Sequence, residues 1–272
     1  MMNEQLPLWR RALTAELCWL DEAGQPHVVA STPLVAGSVP CVALPYARAP
    51  EVAGIGTGTP VAFAVTDSRS LRRGGPGHAW YGTVTRTEDT EGDFFAVELL
   101  RQELTKYPPS RTFADSPLLC RENWWWLPRI VLRLARRAHA VELPARTSPH
   151  RHALLARERS GELALDVVDL PDGAQGTGGP AALPLRSLAG GALRGDGAQA
   201  LAFGYDYSMP DMERWEPWSL RGPLLGDRLE VTDRAGAPGA ELGPLTLLQR
   251  IRRQRTLSRA CRRELAAAQN RS

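Results

Sequence analysis

An internal repeat runs through the chain. Leu17-Cys-Trp-Leu-Asp-Glu-Ala-Gly24 lies against Leu154-Leu-Ala-Arg-Glu-Arg-Ser-Gly161, each an apolar run entering a charged turn that closes on glycine. Ala43-Leu44-Pro45 matches Ala182-Leu183-Pro184, with an arginine a few residues beyond each. Gly58-Thr-Pro-Val-Ala-Phe63 matches Gly197-Ala-Gln-Ala-Leu-Ala-Phe203 with a small shift, and Trp80-Tyr-Gly82-Thr-Val84 matches Leu220-Arg-Gly222-Pro-Leu224. Four matches kept in one order point to a duplicated unit rather than to chance recurrence of apolar and turn residues. A unit that would otherwise pair with a second copy then carries its own partner, related by a pseudo-two-fold axis.

Local patterns make the chain mainly β. Two runs, 16–20 and 27–32, flank the turn-forming Asp21-Glu-Ala-Gly-Gln25 and read as a hairpin. Strands follow at 39–44, 61–66 and 79–86, and Arg129-Ile-Val-Leu-Arg-Leu134 alternates like a half-buried strand. The second half repeats the style at 153–156, 162–170, 200–205, 218–225 and 228–232, with a Gly-dense loop over 172–180. Helices are expected at 4–13 (interrupted by Pro7), at 46–55, at 93–106 with Asp93 as its cap, and at 245–268. The Pro-rich segment 143–150 reads as a polar linker, so the expected division is 1–146, 147–240 and a basic terminal helix over 241–272.

Composition narrows the classes. With 272 residues and 43% apolar content the chain can bury two ordinary cores. A net charge of only +3 does not call for nucleic acid, and none is expected as a partner. Cys18, Cys41, Cys120 and Cys261 form no C-x-x-C pair, so neither a zinc site nor a disulfide framework is expected. No secretory signal is read at 1–11 and no run is long enough to span a membrane, which makes the cytoplasm the expected location. Gly54-Ile-Gly-Thr-Gly58 precedes a strand rather than a helix, which rules out a dinucleotide loop.

Gly24-Gln-Pro-His-Val-Val-Ala-Ser-Thr-Pro33, Val42-Ala-Leu-Pro-Tyr-Ala-Arg48, Gly58-Thr-Pro-Val-Ala-Phe-Ala-Val65 and Trp80-Tyr-Gly-Thr-Val84 follow one another as hairpin, strand with Pro and a basic residue, turn with an apolar strand, and aromatic-Gly strand. In this order they resemble the flavin-binding split-barrel superfamily, similar to pyridoxamine-phosphate oxidase. The likeness covers about 14–145, with an echo over 153–232. It implies an α+β fold of tandem split β-barrel halves with a few helices and a C-terminal amphipathic helix. It also implies a cofactor, FMN first, with haem, a deazaflavin or none as alternatives. In the family a basic residue after the third strand and hydroxyl or basic residues on the second hold the flavin phosphate; Arg48, Ser31 and Thr32 stand there, although this chain has Ser-Thr-Pro where an arginine-containing run is usual. The function implied is an FMN-dependent oxidoreductase acting on an unknown small molecule. The alternative is a non-catalytic cofactor-binding or haem-binding protein, as a monomeric pseudo-dimer or a homodimer.

Further residues are weighed on their chemistry. In Asn123-Trp-Trp-Trp-Leu-Pro-Arg129 an extended backbone turns tryptophans to both faces, which makes Trp125 a candidate cofactor wall and Arg129 a candidate tail contact, against a plug between the halves. Trp215 and Trp218 end an aromatic, acidic stretch that either caps a pocket of the other half or packs on the barrel. His150 and His152 lack the partners of a metal site, and no metal is expected. If the cofactor is haem, His78 is the best axial ligand of the lone histidines. The terminal helix carries seven arginines and an apolar side, and packing by that side is favoured over contact with nucleic acid or membrane.

Overall fold

The computed structural model describes residues 5–111, 124–174, 179–236 and 242–270. Helix α1 (Gln5–Arg11) leads into β1 (Ala15–Leu20), β2 (Pro26–Ser31), β3 (Pro33–Ala36), β4 (Val39–Pro45), β5 (Pro60–Val65) and β6 (Gly77–Asp89). Helix α2 (Leu100–Lys106) and β7 (Arg129–Leu143) complete the first unit. These seven strands lie in the order β2-β1-β5-β6-β7-β4-β3, and β2 runs into β3 across Thr32. One bent strand therefore pairs with β1 on one side and β4 on the other, which closes the sheet into a barrel without free edges.

The second unit holds β8 (His152–Arg159), β9 (Glu162–Asp169), β10 (Ala182–Pro184), β11 (Arg186–Ser187), β12 (Gly195–Tyr207), β13 (Trp215–Gly226), β14 (Arg228–Glu230) and β15 (Asp233–Ala235). Its path is β10-β14-β13-β12-β8-β9-β11, with β15 added against β13. Here β10 and β11 are the two parts of one segment, broken at Leu185, and β11 closes on β9. With β9 standing for β2, β8 for β1, and β12, β13, β14 and β10 for β5, β6, β7 and β4, the two orders are identical. A 23-residue helix, α3 (Leu247–Gln269), ends the chain. The fold is α+β, mainly β, as the sequence implied.

Backbone detail supports the duplication. Gly58 and Gly197 both have φ +95°, outside the range most side chains tolerate. Gly82 and Gly222 pair with Val61 and Ala200 respectively, and a Cβ on either would stand 1.8 Å from the carbonyl of Arg136 or Glu230. Pro45 opposes Arg129 across β4–β7, and Pro184 opposes Arg228 across β10–β14. Two of the alignments shift by one residue, however. Leu17 and Leu155, not Leu154, point into their barrels, and Phe63 corresponds to Ala202 rather than Phe203. A slip of one exchanges the faces of a strand.

Each barrel has its own core. The first is filled by Trp9, Leu17, Phe63, Trp80 and Ile130, with the Trp9 ring stacked 5.2 Å from Phe63 and its indole N–H donating to the Leu34 carbonyl at 2.7 Å. Pro7 does not interrupt α1, because it lies in the first turn where no amide hydrogen is required. The second core is smaller and mostly aliphatic, around Leu155, Val168, Leu183, Leu220 and Leu229, with Trp218 as its buried ring. Outward faces of the two barrels meet in a third cluster, where Cys18, Ala30, Ala62, Ala64 and Ala79 receive Leu154, Leu201, Phe203, Tyr205 and Tyr207.

The helices depart from expectation in detail. The 93–106 segment is helical, but Phe95–Leu99 widens into a π turn, and Asp89 rather than Asp93 caps it by accepting from the Phe95 amide at 2.8 Å. Residues 46–52 form a 3-10 helix. Trp124–Trp126 is a 3-10 turn, not an extended segment, so the rings fan out differently: Trp124 is 67% exposed while Trp125 and Trp126 are buried. The buried pair packs with Phe95, Val131 and Cys261 on the outside of the first barrel, not between the halves.

Candidate functional site

The most elaborate polar arrangement lies in the seam between the barrels. Glu16 sits near the start of β1 with its side chain turned away from the first core and fully buried. Its Oε1 accepts from Arg146 Nη2 at 2.7 Å, from Thr66 Oγ1 at 2.8 Å and from the Tyr205 hydroxyl at 2.7 Å. Arg146 also donates through Nε to Thr66 Oγ1 at 2.8 Å and lies 4.3 Å over the Tyr205 ring. Burial and the Glu16 charge push the Tyr205 phenol well above its ordinary value, so it stays a donor. The Arg146 guanidinium is pushed further up despite its burial, because the face of the neutral Tyr205 ring and the Glu16 carboxylate favour its charge. Beside it Arg69 binds Asp67 at 2.9 Å, reaches across the seam to Asp206 at 2.7 Å, and covers the Tyr207 ring at 3.6 Å.

Arg146 stands in the segment read as a polar linker. The segment does connect the barrels, but Arg146 is 3% exposed, and its backbone is bound to Thr66 and Ser68. The cavity beside this network, lined by Asp67, Arg69, Arg146 and Tyr205 among others, measures about 80 Å³. That is room for a few waters. Small-molecule and cofactor sites occupy roughly 300–1,000 Å³.

The residues expected to hold a flavin phosphate lie apart from that cavity. Arg48 sits on the 3-10 helix after β4 and donates to the Ala30 carbonyl at 2.8 Å, which brings it next to Ser31 and Thr32. Its charge is already matched by Glu51 at 2.6 Å through a bidentate pair, while Ser31 and Thr32 are buried. A phosphate dianion there would have to displace a carboxylate, so these residues do not fit FMN as they stand. Trp125 and Arg129 form a second group beneath α2 and α3. Arg129 is 1% exposed, stacks 3.9 Å from the Phe95 ring, and meets Glu103 at 3.4 Å. His78 stacks on Trp80 at 5.8 Å at the start of β6. None of the six lines the seam cavity or the groove where α3 starts.

The second cavity is a groove of about 470 Å³ where β13 begins and α3 starts. Arg214, Glu216, Pro244, Leu245, Thr246, Gln249 and Arg253 border it. Thr246 and Gln249 form a capping box that fixes the helix start. Arg253 donates to the Glu213 carbonyl and Arg250 pairs with the Glu213 carboxylate at 2.8 Å, holding the helix against the β12–β13 turn. Chain positions gave no hint of this groove, because arginines abound. The seam network was more legible in principle: Glu16 is a lone acid in an apolar strand, and Arg146 a lone cation in a Pro-Ala segment.

Among the described residues no three His, Cys, Asp or Glu side chains cluster as a metal site, and no helix is long and apolar enough to cross a membrane. Cys18, Cys41 and Cys261 are buried free thiols, and Cys120 lies outside the described residues.

No family model matches the chain, and no curated protein matches it. Two solved structures do. The haem storage protein HutZ from Vibrio cholerae is 10% identical with a TM-score of 0.35, over 53% of this chain and 95% of HutZ. A haem-binding protein from Mycobacterium smegmatis is 13% identical with a TM-score of 0.31, over 94% of this chain and 96% of that one. At these values neither transfers a ligand to this chain, and the barrel assignment rests on the strand order given above.

Proposed function

We propose that this chain is a non-catalytic binding protein of the duplicated split-barrel type. It takes an anionic, partly apolar ligand of cofactor size, of the haem or flavin class, in the groove at the start of α3. The contrast between the two cavities carries the reading. The seam offers about 80 Å³, whereas the groove offers about 470 Å³ with two guanidiniums, Arg214 and Arg253, beside apolar Pro244 and Leu245; Arg214 is paired with Glu216 at 3.2 Å, while Arg253 donates to the neutral Glu213 carbonyl and supplies the uncompensated charge. Guanidiniums suit carboxylate or phosphate tails, and an apolar wall suits a ring system. The division into barrels at 1–146 and 147–240 with a helix at 241–272 belongs to the same proposal, as does a monomeric pseudo-dimer. The Tyr205–Glu16 hydrogen bond and the Arg69–Asp206 ion pair across the seam support it, since they hold the two barrels as one body.

Titration of the purified protein with haemin and, separately, with FMN tests the reading, followed by the Soret band and by flavin fluorescence. Saturable one-to-one binding of either is expected. Loss of the charge-assisted contacts in Arg214→Ala with Arg253→Ala should weaken it at least about tenfold, while Arg48→Ala leaves it unchanged. Binding that depends on Arg48 and ignores the groove would return the FMN oxidoreductase to first place. Binding of neither ligand would refute the ligand class.

A further inference from the structure

The outer face of α3 has no part in the groove or the cores. Leu257, Cys261, Leu265 and Ala268 turn the second half of the helix onto the first barrel, and Arg250 and Arg253 tie the first half to Glu213. On the opposite side Leu248, Arg252, Arg255, Arg259 and Arg262 recur at intervals of four and three, which makes one stripe about 21 Å long. At the N-terminal end of the helix Leu248, on this stripe, is 69% exposed, and Leu247 and Ile251, on the flank between the stripe and the packed side, are 72% and 37% exposed. Among the described residues Arg252, Arg255, Arg259 and Arg262 have no ion-pair partner, and each is exposed. Seven arginines against one glutamate give α3 a charge of +6, which leaves −3 on the rest of a chain whose formal charge is +3. Trp124, 67% exposed, stands on the turn that packs against the same helix.

We infer that this face docks on an anionic lipid surface. Aliphatic side chains at one end with a ladder of guanidiniums beside them match the boundary between acyl chains and phosphates, where a tryptophan also sits well. Nucleic acid would engage the arginines but gain nothing from Leu247, Leu248 and Ile251. A second copy would set two +6 helices against each other. The face is distinct from the ligand groove, so the inference does not depend on the proposed function.

Flotation of the full chain with phosphatidylcholine vesicles, with and without phosphatidylglycerol, is the test. Binding to the anionic vesicles alone is expected, weakening as salt rises. Arg252→Gln with Arg255→Gln should reduce it roughly 25-fold, at about fivefold per arginine. Leu247→Ser with Leu248→Ser should reduce it about tenfold or more. All four positions are exposed, so near-UV circular dichroism should stay unchanged, and Arg214→Ala with Arg253→Ala should still float. No binding to either vesicle, equal binding to both, or indifference to the leucine pair would overturn the inference. So would duplex DNA bound at the same salt without vesicle binding, or a concentration-dependent dimer that the leucine changes dissolve.

Discussion

Replacing Arg146 by Met probes how the two barrels are held together. The substitution keeps much of the side chain's length and its packing over Tyr205, but removes the cation from a carboxylate that is wholly buried. Glu16 would keep the Thr66 and Tyr205 hydrogen bonds and lose its neutralising charge. Breaking a buried pair from one side costs about 3–5 kcal/mol. With a urea m-value of about 2–3 kcal/mol/M, that moves the unfolding midpoint down by roughly 1–2.5 M. Tryptophan fluorescence is the assay, since Trp9, Trp19 and Trp80 report on the first barrel and Trp218 on the second. Adding Glu16→Gln should then recover about 2 kcal/mol, because the amide oxygen still accepts from the Thr66 and Tyr205 hydroxyls and no charge is left, although the weak bond from the Thr66 amide to Oε2 is lost. A cost below about 1 kcal/mol for Arg146→Met, or no recovery in the double variant, would refute the reasoning.

Gly222→Ala and Gly82→Ala should each cost about 1–3 kcal/mol or more in thermal unfolding, because the new Cβ meets a backbone carbonyl at 1.8 Å. Gly191→Ala, with nothing within 4 Å, should stay within about 0.5 kcal/mol. Burial pushes the Lys106 amine down to about 7, so between there and its ordinary value near 10.5 the unfolded chain binds the extra proton. Stability should therefore rise with pH from about 7 to 9.5, by up to about 1.4 kcal/mol per pH unit, and Lys106→Met should flatten the rise in pH-dependent urea melts. Phe203→Ala should cost about 3–5 kcal/mol and open space in the seam, checked by denaturation and by binding of a small apolar dye.

What the sequence revealed and what it hid divide along a physical line. The strands, the first hairpin, the terminal helix and the repeat were legible because alternation and turn chemistry are local. The one-residue slips at Leu17 and Phe63 came from laying like residues together, whereas barrel closure sets which face is inside. Arg146 was read as linker because its partner Glu16 lies 130 positions away. The strand over 129–134 reads as half-buried from its alternation, yet the α2 helix and Trp126 cover the outer face of β7 at Arg129 and enclose it. The flavin site was drawn from family position alone, and the Glu51 partner that matches Arg48 is not visible to such a comparison.

Covalent linkage of the halves explains why the seam has no room for a cofactor. In a two-fold dimer each residue at the axis meets a copy of itself or of a fixed partner, so both faces must be the same. Here equivalent positions differ: Glu16 corresponds to Leu154, Ala62 to Leu201, Ala64 to Phe203 and Thr66 to Tyr205. The first barrel presents small or polar groups, and the second presents large ones. Two copies of the first face would leave voids, and two copies of the second would collide, but one of each closes the gap. A duplicated chain can hold such an asymmetric pair because its two faces vary independently. Under the proposed function, a closed seam leaves the groove beside α3, outside the barrels, as the place for the ligand.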